Sequence, residues 1–113
     1  MTTALLPLTD ISAGRPVEPA LDADAAARMA RTLKALADPT RLRILSIVAA
    51  HADREACVCD LQEPLELAQP TVSHHLKVLM EAGFLTRSQR GTWAYYALVP
   101  GSLDAVAGTV AAI

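Results

Sequence analysis

Residues 58–91, VCDLQEPLELAQPTVSHHLKVLMEAGFLTRSQRG, decide the fold. From Gln69 to Glu81, Val72, Leu76, Leu79 and Met80 fall on one face at helical spacing, and Gly83 closes the helix. A shorter helix, from about Val58 to Leu65, precedes it. Pro64 must distort or end that helix, because its ring removes a backbone donor. Leu61 and Leu65 on the first helix can pack against Val72, Leu76 and Leu79 on the second. Beyond Gly83 the pattern changes: Phe84 to Gln89 and Thr92 to Val99 are rich in β-formers and flank Arg90-Gly91, which reads as a hairpin. Short helix, tight turn, second helix and basic-tipped hairpin is the order of a winged helix-turn-helix. The helix-turn-helix occupies residues 58–82 and the wing residues 84–98.

Upstream, Asp38-Pro39 punctuates the chain. Proline disfavours helix at the residue before it but suits the first position of a new one, with Asp38 as cap. A helix is expected from about Pro39 to Ala50, burying Leu42, Leu45, Val48 and Ala49. Before it, Asp22 can cap a helix whose Ala26, Met29, Ala30, Leu33 and Leu36 keep helical spacing. Residues 1–21 hold Pro7, Gly14, Pro16 and Pro19 without periodicity and read as an extended arm, leaving residues 22–113 as the folded domain. His51 to Glu55 reads as a polar connection. Downstream of the wing, a last helix from about Ser102 carries Leu103, Val106, Ala107 and Val110 as an apolar stripe. The predicted class is mainly α with a β-hairpin wing: four helices, two strands and a fifth helix.

The apolar fraction of 52%, with one Trp, two Tyr and one Phe, favours close-packed helices over a sheet-rich fold. No apolar stretch approaches the roughly 18 residues needed to span a bilayer. Met1 to Leu8 lacks the basic start and long apolar run of a signal peptide. A soluble, cytoplasmic protein without membrane partners is expected. No Ser/His/Asp set, paired catalytic carboxylates or phosphate-cradling glycine loop is evident, so neither an enzyme nor a catalytic cofactor is expected.

The first and last helices each carry an apolar stripe that one small domain cannot easily bury. A two-fold dimer would cover both and set two second helices about one DNA turn, roughly 34–36 Å, apart. The net charge of −2 is unusual for a nucleic-acid binder, but charge is segregated along the chain. Between Thr71 and Gly91 the basic residues Lys77, Arg87 and Arg90 face a single acid, Glu81. Near the start of the second helix, Gln69 can contact adenine bidentately and Thr71 can meet phosphate or a thymine methyl. Ser73 and His74 are short polar donors or acceptors there. His75 is a further candidate for DNA contact; being adjacent, His74 and His75 face different ways, and one can instead be buried and satisfied, His75 more readily. Lys77, Arg87 and Arg90 supply phosphate charge, with the arginines bracketing the wing tip. On their own, those two arginines would read as a solvated hairpin.

Several segments together resemble one family. LADPTRLRIL at residues 36–45, CVCDL at 57–61, QPTVSHHLKVL at 69–79, EAGFL at 81–85 and RGTWAYY at 90–96 are similar to the ArsR/SmtB family of bacterial metal-responsive repressors, most of all to its arsenite-responsive members. The similarity spans about residues 25–110. It implies a homodimer joined through the first and last helices, a palindromic double-stranded operator, and release from that operator when an effector binds.

The resemblance also places an effector site at Cys57 and Cys59, the chain's two cysteines. In a reducing cytoplasm they are expected to stay thiols, and a disulfide between residues two apart would be strained. Two steps along a regular helix rotate a side chain by about 200°, so the thiols grip one ion only if the helix start is unwound. Chelation would then distort the first helix of the reading unit. A soft thiophilic ion suits two thiolates: As(III) or Sb(III), as the motif implies, or Cd(II) or Pb(II), as in related members. Many members add a further cysteine, where this chain has Ser12 in its arm; His51, Asp60 or solvent can complete the site instead. The zinc- and nickel-type site of the last helix is discounted, since that helix offers only Asp104. Both cysteines can also be read as small buried hydrophobes in an effector-independent regulator.

Overall fold

The computed structural model describes residues 20–113. The expected arm, including Ser12, lies outside the described residues except for its last two positions. The described residues form α1 (Ala23–Leu36), α2 (Pro39–Ala50), β1 (Glu55–Cys57), α3 (Val58–Leu65), α4 (Gln69–Glu81), β2 (Leu85–Arg90), β3 (Trp93–Leu98) and α5 (Ser102–Ala111). The class is the expected one, with a third strand added.

The helix starts follow the capping residues. Asp22 Oδ1 accepts from the Ala25 N–H at 2.8 Å, and Asp38 Oδ2 accepts from the Arg41 N–H at 3.1 Å with Pro39 opening α2. The end of α4 is a Schellman closure. The Phe84 N–H donates to the Leu79 carbonyl and the Gly83 N–H to the Met80 carbonyl, both at 3.0 Å. Gly83 takes the left-handed conformation, φ +90°, that this closure requires. The chain therefore leaves the helix directly into β2.

One buried cluster ties α2, α3, α4 and the sheet together: Ile44, Leu45, Val48, Leu61, Leu65, Val72, Leu76, Leu79, Phe84, Leu85 and Tyr96. The expected packing of Leu61 and Leu65 against Val72, Leu76 and Leu79 is present within it. Leu42 is a correction, being 53% exposed, while Ala49 is half-buried. At 100° per residue, Ile44, Leu45 and Val48 define an arc from whose centre Leu42 is turned by about 115°. The buried face of α2 is thus the one carrying Ile44.

The segment read as a polar connection is a second correction. A 3-10 turn, Ala52–Arg54, leads into β1, which pairs antiparallel with β3 in a sheet of order β1-β3-β2. Only three residues long, β1 is too short for alternation to announce it. It exists through its register, Glu55 opposite Ala97, Ala56 opposite Tyr96 and Cys57 opposite Tyr95. The wing is therefore a hairpin rooted on a third strand rather than a free ribbon.

α1 buries only Ala35, and α5 buries nothing. The two helices pack against each other, leaving Leu33, Leu103 and Val110 exposed. Among the described residues, no helix is long and apolar enough to cross a membrane.

Candidate nucleic-acid interface and thiol site

α4 presents its polar residues according to their angle from the buried Val72, Leu76 and Leu79. Gln69, Thr71, His74 and Lys77 are exposed, and Ser73 is half-buried. His75 flanks the buried stripe and is half-buried; its Nδ1 lies 3.1 Å from Arg41 Nη1. Guanidinium nitrogens only donate, so Nδ1 is the acceptor in this bond and Nε2 carries the proton of the neutral ring. Arg41 also donates from Nε to the Ala35 carbonyl at 2.6 Å and from Nη2 to the Lys34 carbonyl at 3.3 Å. One side chain thereby closes the C-terminal end of α1 and joins α2 to α4. Sequence reading gave Arg41 no role, since its partners lie 6, 7 and 34 residues away.

The wing arginines are both exposed, but they do not act as a pair. Successive strand residues alternate faces, so Arg87 and Arg90, three apart, project to opposite sides of the sheet. Arg87 shares its face with the buried Leu85 and Tyr96, the side on which the helices pack. Its Nη2 donates to Gln89 Oε1 at 2.8 Å. Arg90 lies on the other face, where its Nη1 donates to Glu55 Oε1 and its Nη2 to Glu55 Oε2 at 2.9 Å. The guanidinium also sits 4.6 Å from the centre of the Tyr95 ring. These hydrogen bonds from Arg90 hold the Glu55 carboxyl below the usual carboxylate range, and Glu55 in turn raises the Arg90 pKa.

The sulfurs of Cys57 and Cys59 are paired at one corner, where the sequence reading expected them to meet only at an unwound helix start. The regular-helix rotation does not apply to them. Cys57 is the last residue of β1 and the N-cap of α3, with extended backbone (φ −90°, ψ 169°), so only Cys59 is inside the helix. The pair straddles a strand-to-helix corner with Cα atoms 5.2 Å apart, within disulfide reach. Cys57 is buried and Cys59 exposed.

Asp60 completes the corner. Its Oδ2 accepts from the Cys57 N–H at 3.0 Å, and a carboxylate oxygen lies within 4.8 Å of both sulfurs. Behind it, His51 Nε2 is 3.9 Å from Asp60 Oδ2. His51 Nδ1 is 3.0 Å from the Ile47 carbonyl, which can only accept, so Nδ1 carries the ring proton of the neutral form. Of the donors considered from sequence, Asp60 joins the sulfurs directly and His51 stands behind it. Glu55 gave no sequence signal, because its partner Arg90 is 35 residues distant.

Comparison with known proteins bears on the whole arrangement. The family model for bacterial regulatory proteins of the arsR family matches residues 38–87, the span from the α2 cap into the wing. An uncharacterized HTH-type transcriptional regulator of Methanocaldococcus jannaschii is 42% identical over 72 residues, 64% of this chain and 79% of the relative. The arsenical resistance operon repressor of Bacillus subtilis is 45% identical over 65 residues, 58% of this chain; the chain spans about six tenths of it, 60%. Among solved structures, the homodimeric winged helix-turn-helix DNA-binding domain Mb0332 of Mycobacterium bovis, a possible ArsR-family regulator, superposes with a TM-score of 0.63. It is 29% identical, and the match covers 84% of this chain and 90% of that domain. With α2, α3, α4 and the start of β2 inside the family match, the chain belongs to the arsR family of bacterial regulatory proteins, DNA-binding transcriptional regulators and not enzymes.

Proposed function

We propose that the protein is a homodimeric repressor that binds a palindromic operator and is released when As(III) or Sb(III) binds Cys57 and Cys59. The observation that carries this reading is the meeting of both sulfurs at the corner where β1 becomes α3, the first helix of the DNA-reading unit. Reduced, the pair offers two thiolates to one ion, a donor set suited to soft, thiophilic elements rather than to magnesium or calcium. Such an ion would supply a cross-link that fixes the strand-to-helix corner. Leu61 and Leu65 would pass any shift of α3 to Val72, Leu76 and Leu79 in α4, because all five belong to one close-packed cluster.

On the DNA side, Gln69, Thr71, Ser73 and His74 are the candidates for base and phosphate contacts. Lys77, Arg87 and Arg90 supply phosphate charge. His75, bonded to Arg41, serves the interface by fixing α4 against α1 and α2. The exposed Leu33, Leu103 and Val110 on α1 and α5 form the surface through which two copies pair, as the homodimeric neighbour supports.

A second reading, release by Cd(II) or Pb(II), is favoured by Asp60, whose carboxylate beside the sulfurs makes a mixed S,O donor set. Fluorescence anisotropy of reduced protein on labelled operator, titrated in parallel with arsenite, antimonite, cadmium, lead and zinc, separates the two. Arsenite and antimonite are expected to lower operator affinity by at least tenfold, a coupling of about 1.4 kcal/mol. Release by cadmium or lead alone selects the second reading. Release by none makes the cysteines structural and the regulator effector-independent.

A further inference from the structure

The function above gives Arg90 a phosphate to meet but leaves its ion pair with Glu55 without a role. Arg90 is the last residue of β2, beside the tip at Gly91, and its side chain is 52% exposed, whereas that of Glu55 is 19% exposed. The two terminal guanidinium nitrogens each donate to one carboxylate oxygen, and the cation also rests against Tyr95. A DNA phosphate presents arginine with the same fork of anionic oxygens as a carboxylate does. Arg90 cannot serve both acceptors bidentately at once.

We propose that Glu55 is an affinity-setting residue of the DNA interface: it holds Arg90 away from the operator, and binding exchanges its carboxylate for a backbone phosphate. The inference rests on the DNA-binding reading and on no effector. Glu55 opposes binding in two ways. In the free protein it stabilises Arg90 where it lies, and in the complex its carboxylate is left without that partner, close to the phosphates. Asp53 adds a further negative charge near Arg90 and deepens the first effect. The wing is thereby restrained on operator-free protein, and each association includes the cost of opening one fork-to-fork pair. A phosphate contact made by Arg90 releases a counterion, so the exchange is visible in the salt dependence.

The test is a double-mutant cycle on operator binding with wild type, Glu55→Gln, Arg90→Gln and the double variant, each measured across a salt series. Glu55→Gln keeps the shape of the side chain, and equal thermal melts establish that the variants are folded. Glu55→Gln is expected to tighten binding about two- to fivefold, the range of exposed ion pairs. The slope of log Kd against log salt should stay close to the wild-type value in Glu55→Gln and become shallower by about 0.9 in Arg90→Gln, which loses one phosphate contact. Arg90→Gln should weaken binding, and adding Glu55→Gln to it should restore little. An equal gain from Glu55→Gln with Arg90 present or absent would reduce Glu55 to a general negative charge and overturn the proposal. Unchanged or weakened binding by Glu55→Gln would overturn it too, making the pair a clamp that holds the wing in its working position. A wild type that binds operator weakly and without salt dependence contradicts the DNA-binding reading itself.

Discussion

Asp38 stands where two helices and a proline meet, and its carboxylate sets how α2 begins. The bond from the Arg41 N–H is foremost in holding its pKa below the ordinary 3.8, with the Arg41 charge adding to it. A depressed carboxyl contributes stability that is present above its unfolded pKa and is lost as pH falls through its lower folded value. Asp38→Ala should therefore lower the melting temperature at neutral pH by about 4–8 °C, as loss of an N-cap does in a domain of this size. The gap between variant and wild type should close as pH falls from about 4 toward 2. A gap that persists unchanged to pH 2 would show that the carboxylate charge is not what stabilises the cap. The cap was legible in sequence because it is local, Asp followed by Pro at the first helical position. Arg41 was not legible, because each bond it makes depends on where α1 and α4 lie.

At the scale of elements, α3 and α4 act as one packed unit, and Leu76 is at their centre with no exposed surface. Leu76→Ala removes buried methyl groups and leaves a cavity that helices fixed by Pro64, Gly83 and the sheet can only partly close. Urea denaturation should show a loss of about 2–5 kcal/mol. A loss below about 1 kcal/mol would mean that the unit relaxes around the void and cannot transmit a displacement from α3 to α4. The bounds of α3 and α4 could be read from sequence because Pro64 near the end of α3, Gly83 after α4 and the apolar spacing mark them. β1 could not be, since three residues carry no period and the strand is made by its partner. The cysteines followed the same logic: with Cys57 in that unseen strand, rotation along a helix was the wrong geometry for the pair. Leu42 shows the limit of apolar spacing, because α2 is apolar on more than one side and spacing alone does not select the face that packs.

For the whole molecule, two surfaces are distinct: α4 and the wing carry exposed polar residues, and a second face, on α1 and α5, leaves Leu33, Leu103 and Val110 uncovered. A pair of chains joined through the second face would present two α4 helices to one operator, and a change at each thiol corner would act on the spacing or tilt of both. The apolar stripes on the first and last helices were plain in sequence. The route from the cysteines to α4 was not, since it runs through a strand-to-helix corner that exists only in the folded chain. The measurement closest to the central claim is arsenite-driven release of reduced protein from labelled operator, compared between wild type and Cys57→Ser. Wild type should dissociate with increasing arsenite, whereas Cys57→Ser should bind operator as tightly as wild type before addition and remain bound at saturation. Release of Cys57→Ser by arsenite at the wild-type concentration would contradict the assignment of the thiol corner as the switch.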